Sequence, residues 1–461
     1  MSTMTTLTLP TLSPRSIPFD SGWPLIGHLV GSSLDILGFL IRMAHKHPEL
    51  VEIKVLGSTF YMVNHPDLLE QVLVKNSHAF IKDKMLKHMG QPVFGTGLLS
   101  SDGDFWLRQR RMAQPAFHRQ RIMTYAEDTV HFTERAMAVW QPGEVRDLHQ
   151  DMMTLTLEIV TKTLFNAEDN QDVRDISHAL DAIMERFSSD TFTDLLEAAF
   201  GKLYTSPVQK RYKQAVIELD RVVDAVVAAR KIDGRDHGDL LSMLLEARDD
   251  DGNPMSDTQL RDECKTMFIA GHETTALTLS WTWLELMRHP NVLTKLREEG
   301  RRILNGRNPT FNDLPALTYA NQVLLESMRL HPPAWAIQRE VIEDVQIGDY
   351  ILKKGKDVIM SQYAVQRDPH WFPSPEQFKP ERWEGDLLKR LPKFAYFPFG
   401  GGPRLCIGQQ FAMMEATLML SMMAQRFDFE LVPGQYIVPQ PSITMRPKYG
   451  LKVRVKALIP A

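Results

Sequence analysis

Residues 394–416 read FAYFPFGGGPRLCIGQQFAMMEA, and no other stretch limits what this chain can fold into as strongly. It places Cys406, one of only two cysteines in 461 residues, behind three consecutive glycines, a proline and an arginine. From Gln409 the pattern turns helical, so Cys406 sits on a loop that leads into a helix. Backbone N–H groups and the helix dipole there lower a thiol pKa and favour a thiolate. Gly400, Gly401 and Gly402 allow a tight turn and let a flat body approach the backbone closely. Taken alone, the same residues are compatible with an inert core thiol beside an ordinary turn. The rest of the sequence has to decide between the two.

With 43% hydrophobic and 24% charged residues, the chain has the composition of a soluble globular protein with a large core. A net charge of -4 without a long basic tract gives no sign of a nucleic-acid binder, and none is expected as a partner. Two cysteines are too few for a disulfide framework, which fits a reducing cytosol. The N-terminal MSTMTTLTLPTLSPRS has no basic segment followed by an apolar one and so is not a signal peptide. Residues 21–41 are the most membrane-like, yet Pro24, His28, Asp35 and four glycines interrupt them. The expectation is a soluble, cytoplasmic monomer without a transmembrane segment, with shallow peripheral membrane contact left open.

Residues 1–18, rich in Thr, Ser and Pro, are expected to form a flexible lead-in to a single domain spanning 19–461. LVEIKVLGSTFYMVNHP alternates apolar and polar residues around Gly57-Ser58, a hairpin pattern. Strand patterns return at VQIGDYILKKGKDVIMS and ITMRPKYGLKVRVKA. Between them, residues 124–138, 151–165, 210–230 and 255–288 carry helical apolar spacing. The last is the longest, with Ser256 or Asp257 as N-cap and Pro290 as its stop. No linker or internal repeat divides the chain. The fold class is mainly α with minor β.

Phe399, Gly402, Arg404, Cys406 and Gly408 spell F-x-x-G-x-R-x-C-x-G, which resembles the haem-binding signature of the cytochrome P-450 family. The resemblance implies haem b, iron protoporphyrin IX, with the Cys406 thiolate as axial iron ligand. Phe399 would pack near the sulfur and Arg404 would pair with a propionate. Four further segments follow the family's order. ESMR places Glu326 and Arg329 on one helical face, and PEQFKPERW supplies Arg382, the third member of a network implied to lock the fold around the cysteine loop. AGHETT resembles the oxygen-activation segment: Ala270 and Gly271 leave room for a flat cofactor and permit a local widening of the helix. Thr274 would hydrogen-bond at the oxygen site and Glu273 would relay protons from solvent. Out of this context, Thr274 and Thr275 read more simply as helix residues bonding back to the preceding turn. His272 is not expected to bind metal. Trp106 and Arg110 in WLRQR, and Arg339 in AIQRE, match the propionate-binding positions.

The implied fold holds haem between a long distal helix and a proximal cysteine loop. The implied activity is that of a haem-thiolate monooxygenase, inserting one oxygen atom from O2 into a lipophilic substrate such as a fatty acid, terpenoid or steroid. About 50 residues follow Cys406, too few for a reductase domain, so electrons are expected from a separate ferredoxin or flavodoxin-like protein with its reductase. Arg108, Arg111, Arg119 and Arg121 lie in an acid-free stretch and are candidate contacts for an acidic donor, or else a solvated basic face. By family position the pocket takes Val93, Phe94, Phe268, Ile269, Ala334, Ile337, Ile443 and Thr444. Alternatives are a peroxide-driven peroxygenase or isomerase, which would not need Glu273 and Thr274, and a non-catalytic haem sensor. Cys264 is left as a core residue.

Overall fold

The three- and four-residue apolar spacing folds into long helices packed around one central helix. The computed structural model describes residues 14–23, 27–55, 58–166, 170–187 and 206–458. Its longer helices are α1 (Ile36–Lys46), α2 (Lys84–Phe94), α3 (Gly103–Ala113), α4 (Arg119–Ala138), α5 (Leu148–Phe165) and α6 (Asn170–Phe187). They continue with α7 (Pro207–Asp233), α8 (Asp257–Arg288), α9 (Pro290–Leu304), α10 (Thr318–Leu330) and α11 (Gln409–Arg426). Ser256 caps α8 by accepting the Gln259 N–H, and Pro290 begins the next helix. Helix α8 is buried on nearly every face and packs against α5, α7, α10 and α11. That explains why its sequence shows no clean polar stripe.

The strands are β1 (Phe19–Asp20), β2 (Leu50–Val55), β3 (Ser58–Val63), β4 (Phe80–Ile81), β5 (Val145–Asp147), β6 (Ile337–Val341) and β7 (Val345–Ile347). The remainder are β8 (Tyr350–Leu352), β9 (Asp357–Met360), β10 (Phe427–Leu431), β11 (Pro439–Pro441), β12 (Met445–Pro447) and β13 (Lys452–Ala457). The main sheet runs β1-β2-β3-β9-β6-β4, joining the N-terminal hairpin to strands nearly 300 residues later. A three-stranded sheet runs β10-β13-β5, and β7-β8 and β11-β12 are separate antiparallel pairs.

One hydrophobic cluster reaches from Val93 to Val455 and unites the helices. A second packs beneath the main sheet and includes Phe394 and Phe397. Phe411 and Met414 of α11 belong to the first. The cysteine loop therefore begins in the sheet-side core and ends in the helical one.

The N-terminal lead-in and the hairpin turn each fall partly outside the described residues. Of the lead-in, residues 1–13 lie outside the described residues, whereas residues 15–18 are docked. The Arg15 N–H donates to the Asp349 carbonyl at 2.7 Å, Pro18 accepts from the Glu52 N–H at 2.8 Å, and Ile17 packs on the sheet-side core. Gly57 also lies outside the described residues, and the hairpin register pairs Val55 with Ser58. Among the described residues, no helix is long and apolar enough to cross a membrane.

Candidate functional site

The cysteine loop is held by its own backbone. The Cys406 N–H donates to the Phe399 carbonyl at 3.0 Å, fixing the half-buried Phe399 beside it. Gly402 has φ +65°, and a Cβ there would stand 1.9 Å from the Leu73 carbonyl oxygen. At Gly401 it would stand 2.1 Å from the Phe394 ring. The glycines thus admit the chain's own Leu73 and Phe394, a closer approach than the flat body the sequence suggested. Burial raises the Cys406 thiol pKa, opposed by the Gly408 N–H and Arg110. This reverses the expected direction: Cys406 is exposed as a residue, but protein crowding around its sulfur outweighs the helix terminus. A bound metal cation would supply the missing counter-charge.

Beside the thiol lies a surplus of cations. The Arg404 guanidinium stacks 3.8 Å from the Trp106 ring centre and donates through Nη2 to Asp102 at 2.8 Å, while its buried Nη1 has no partner. The Arg110 guanidinium lies 5.8 Å from the centre of the same indole ring. Arg339, on β6, donates Nη1 only to the neighbouring Gln338 carbonyl at 2.7 Å. Lys82, which no sequence motif singled out, joins this group. Burial, then Arg339 and Arg404, hold its pKa well below the ordinary value. Burial likewise lowers Arg110 and Arg339, and brings Arg404 to about 10. Asp102 is shared between the Lys82 N–H, Lys87 and Arg404. A dianion is the ligand such a donor set suits.

On α8, Ala270 is exposed and Thr274 half-buried, although Phe268, Ile269, His272, Glu273 and Thr275 around them are buried. This one face of the central helix is open. The helix is continuously α-helical, without the expected widening. Gly271 instead faces α5, where a Cβ would lie 3.1 Å from Val160. The Thr274 hydroxyl donates back to the Ala270 carbonyl at 2.9 Å. Glu273 is buried and its Oε1 accepts from Thr444 and from Arg446 Nε, each at 2.5 Å. Burial pulls its pKa up, but Arg446 and Thr444 more than compensate and the carboxyl lies below its ordinary value. It is therefore an ion-paired carboxylate, not an acid open to solvent. His272 is buried with Nδ1 on the Phe268 carbonyl, and the described residues contain no cluster able to hold a metal through His, Cys, Asp and Glu side chains.

The structure brings Glu326, Arg329 and Arg382 together. Arg329 donates Nε and Nη2 to Glu326 at 3.0 and 2.9 Å, and Arg382 Nε reaches the same carboxylate at 2.7 Å. Trp383 and the Lys379 N–H complete its shell at 2.9 Å each. Gln366 carries the network to the cysteine loop, offering its carbonyl to Arg329 and its side-chain oxygen to the Phe397 N–H.

The pocket candidates divide. Ala334, Ile337 and Ile443 are half-buried, and the Trp335 indole joins their two segments by donating to the Ser442 carbonyl at 2.8 Å. Ile337 also lies over the cysteine loop, 3.4 Å from a Cβ built on Gly400. Val93, Phe94, Phe268 and Ile269 are core residues; Phe268 stacks on Phe165 at 4.0 Å. Thr444 is a partner of Glu273. Of the basic face, Arg108 and Arg111 pair with Asp249 at 3.6 Å and Asp250 at 3.0 Å, Arg121 donates to Gly238, and Arg119 lies over Phe311. The sequence's acid-free stretch therefore has acids supplied from the α7–α8 connection.

The cytochrome P-450 family profile matches residues 17–454. The chain belongs to this family. Cyclooctatin synthase of Streptomyces melanosporofaciens is 35% identical over 92% of both chains. The cyclooctat-9-en-7-ol 5-monooxygenase of that organism matches equally well. Pentalenene oxygenase of Streptomyces avermitilis is 30% identical over 95% of this chain and 96% of its own. The cytochrome P-450DA haem domain superposes with a TM-score of 0.84 at 26% identity, covering 97% of this chain and 99% of that one. Cytochromes P-450 are haem-thiolate monooxygenases with a cysteine as axial iron ligand, and the haem lies between the long distal helix and the cysteine loop. The residues fit: the partnerless Arg404 Nη1 and its cationic neighbours suit two propionates, and the open Ala270 face suits a flat ring.

Lys82, Asp102, Gln366, Arg446 and Glu415 escaped the sequence reading. Only Arg446 left a signal, a charge inside the apolar alternation of ITMRP.

Proposed function

We propose that this cytochrome P-450 hydroxylates or epoxidises a terpenoid, drawing electrons from a separate ferredoxin or flavodoxin-like donor. The substrate class is supported by the relatives named for cyclooctat-9-en-7-ol and pentalenene. It is also supported by the apolar, half-open character of Ala270, Ala334, Ile337 and Ile443. The observation that carries the reading is the open Ala270–Thr274 face on an otherwise buried helix.

When bound, the haem supplies dioxygen activation, and thiolate donation from Cys406 favours O–O cleavage. The chain's own contribution is positional. Arg110, Arg339, Arg404 and Lys82 orient the propionates, and Trp106 braces Arg404. Ala270 leaves space over the ring, and the Thr274 hydroxyl, released from the Ala270 carbonyl, offers a donor at the oxygen site. Glu273, one residue before it, is the acid nearest in sequence, and it can relay protons only when free of its pair with Arg446 and Thr444. The half-buried Ala334, Ile337 and Ile443 hold substrate and exclude water.

Two measurements test this. The reduced protein under carbon monoxide should show the red-shifted Soret band of thiolate ligation, and Cys406→Ala should lose it; a band kept in the variant removes Cys406 from the iron. In a spectral-shift screen of terpenes, fatty acids and steroids, terpenes should bind tightest. Preference for either other class overturns the substrate assignment.

A further inference from the structure

Asp102 occupies the N-cap position of α3, yet its side chain makes no capping hydrogen bond to that helix. The carboxylate is spent on three other segments. Arg404 of the cysteine loop donates Nη2 to Oδ1 at 2.8 Å, Lys87 of α2 reaches Oδ2 at 2.9 Å, and the Lys82 N–H, just after β4, lies 3.2 Å from both oxygens. The side chains of Asp102 and Arg404 are each 17% exposed, so their pair is not a loose surface contact. Helix capping, the ordinary reason for an aspartate at this position, does not account for the residue.

What the carboxylate controls is the direction of a guanidinium. That group is a rigid planar fork, so fixing one arm and one face fixes the other arm. Asp102 holds the Nη2 arm, and the Trp106 ring, 3.8 Å away, holds the face. The remaining arm, Nη1, is buried and without a partner. Arg339 and Arg110 repel Arg404, and Asp102 is the anion that offsets them. A buried guanidinium among like charges, deprived of that anion, loses what holds it in place. We propose that Asp102 is a positioning residue for the haem: it aims the free Nη1 of Arg404 at a propionate and joins that contact to the cysteine loop, α2 and α3. It also sets one fixed negative charge beside the propionates, which opposes addition of an electron at the iron. This rests on the assignment of Arg404 to a propionate.

Two readings on the full-length holoprotein test this, neither of them turnover: the rate of haem transfer to excess apomyoglobin, and the haem midpoint potential by spectroelectrochemistry. Asp102→Asn should release haem about tenfold faster, as loss of a residue that orients a ligand-binding group does, and should move the midpoint to more positive potential. Asp102→Glu keeps the charge and should hold the wild-type midpoint while recovering most of the haem lifetime. Arg404→Lys, which keeps the charge without the fork, should release haem at least as fast as Asp102→Asn. Adding Asp102→Asn to it should change the rate by less than about twofold, because both act through one contact. An unchanged rate in Asp102→Asn overturns the proposal. So does a full effect of Asp102→Asn in the Arg404→Lys background, which would make Asp102 independent of Arg404, and so does faster release with an unmoved midpoint, the mark of a merely structural tie. If Asp102→Asn takes up no haem, Asp102→Glu decides: loading with the wild-type midpoint supports the positioning role, and failure to load overturns it. Wild-type release from Arg404→Lys would remove Arg404 from the propionate, and the underlying assignment would fall together with the proposal.

Discussion

At the residue scale, the site depends on which buried charges are balanced and which are not. Glu415 on α11 is fully buried, with only the Thr275 hydroxyl, too far for a well-formed hydrogen bond, opposing the effect of burial, which lifts its carboxyl to about 8. Between the ordinary value of 4.5 and about 8, the folded protein keeps a proton that the unfolded chain has lost. Its contribution to stability is therefore complete below the ordinary value and is lost as pH rises through the folded one. Glu415→Gln should flatten the decline of Tm over that window and gain on the order of 2 kcal/mol at pH 8.5; an unchanged Tm–pH curve would show the group is not protonated when folded. Glu273 has the opposite sign: its paired carboxylate stabilises above the ordinary value, and that contribution fades as pH falls through the lower folded one. Neither behaviour was legible. The sequence shows that Glu273 and Thr274 are adjacent, but the Arg446 that sets the charge state arrives from a strand far along the chain. Thr274 and Thr275 bond back to Ala270 and Gly271, the plainer of the two meanings their positions allowed.

At the scale of elements, the loop and its supporting network were the most legible parts of the chain. Glu326 and Arg329 share a face because three residues nearly complete a helical turn, and PERW supplies Arg382 at a fixed distance from the cysteine. What spacing could not show are the backbone carbonyls of Gln366, Pro375 and Gln377 that fill the Arg329 shell, since every residue has one. Glu326 and Arg329 are both fully buried, so Glu326→Gln leaves two guanidiniums without their anion. It should cost about 3–5 kcal/mol in urea unfolding and release haem faster, with the thiolate band intact in the fraction that retains it. Gly402→Ala should be more severe locally, since φ +65° and the Leu73 carbonyl both oppose a side chain. Haem incorporation during expression should drop well below wild type; normal loading would show that the Leu73 segment yields.

At the scale of the molecule, helix content, the N-terminal hairpin and the order of motifs all pointed one way, while the pairing of distant charges did not. The arginine face looked free because its own stretch contains no acid; Asp249 and Asp250 come from another part of the chain. The exposed Arg111–Asp250 pair is worth roughly 0.2–1 kcal/mol, whereas the largely buried Asp249 carboxylate also accepts from the Asp251 and Asn253 N–H groups. Asp249→Asn with Asp250→Asn should lower the half-saturating concentration of an acidic donor by about two- to fivefold at low salt. The gain should shrink at high salt, read from stopped-flow reduction rates. No change at either ionic strength would place donor docking on another face. The cysteine loop, rooted in the sheet-side core at Phe394 and Phe397 and in the helical core at Phe411 and Met414, ties two packing units through its backbone. A packing fault in either unit would therefore shift the loop that presents Cys406, so that damage remote from the pocket should still be read out in the thiolate band.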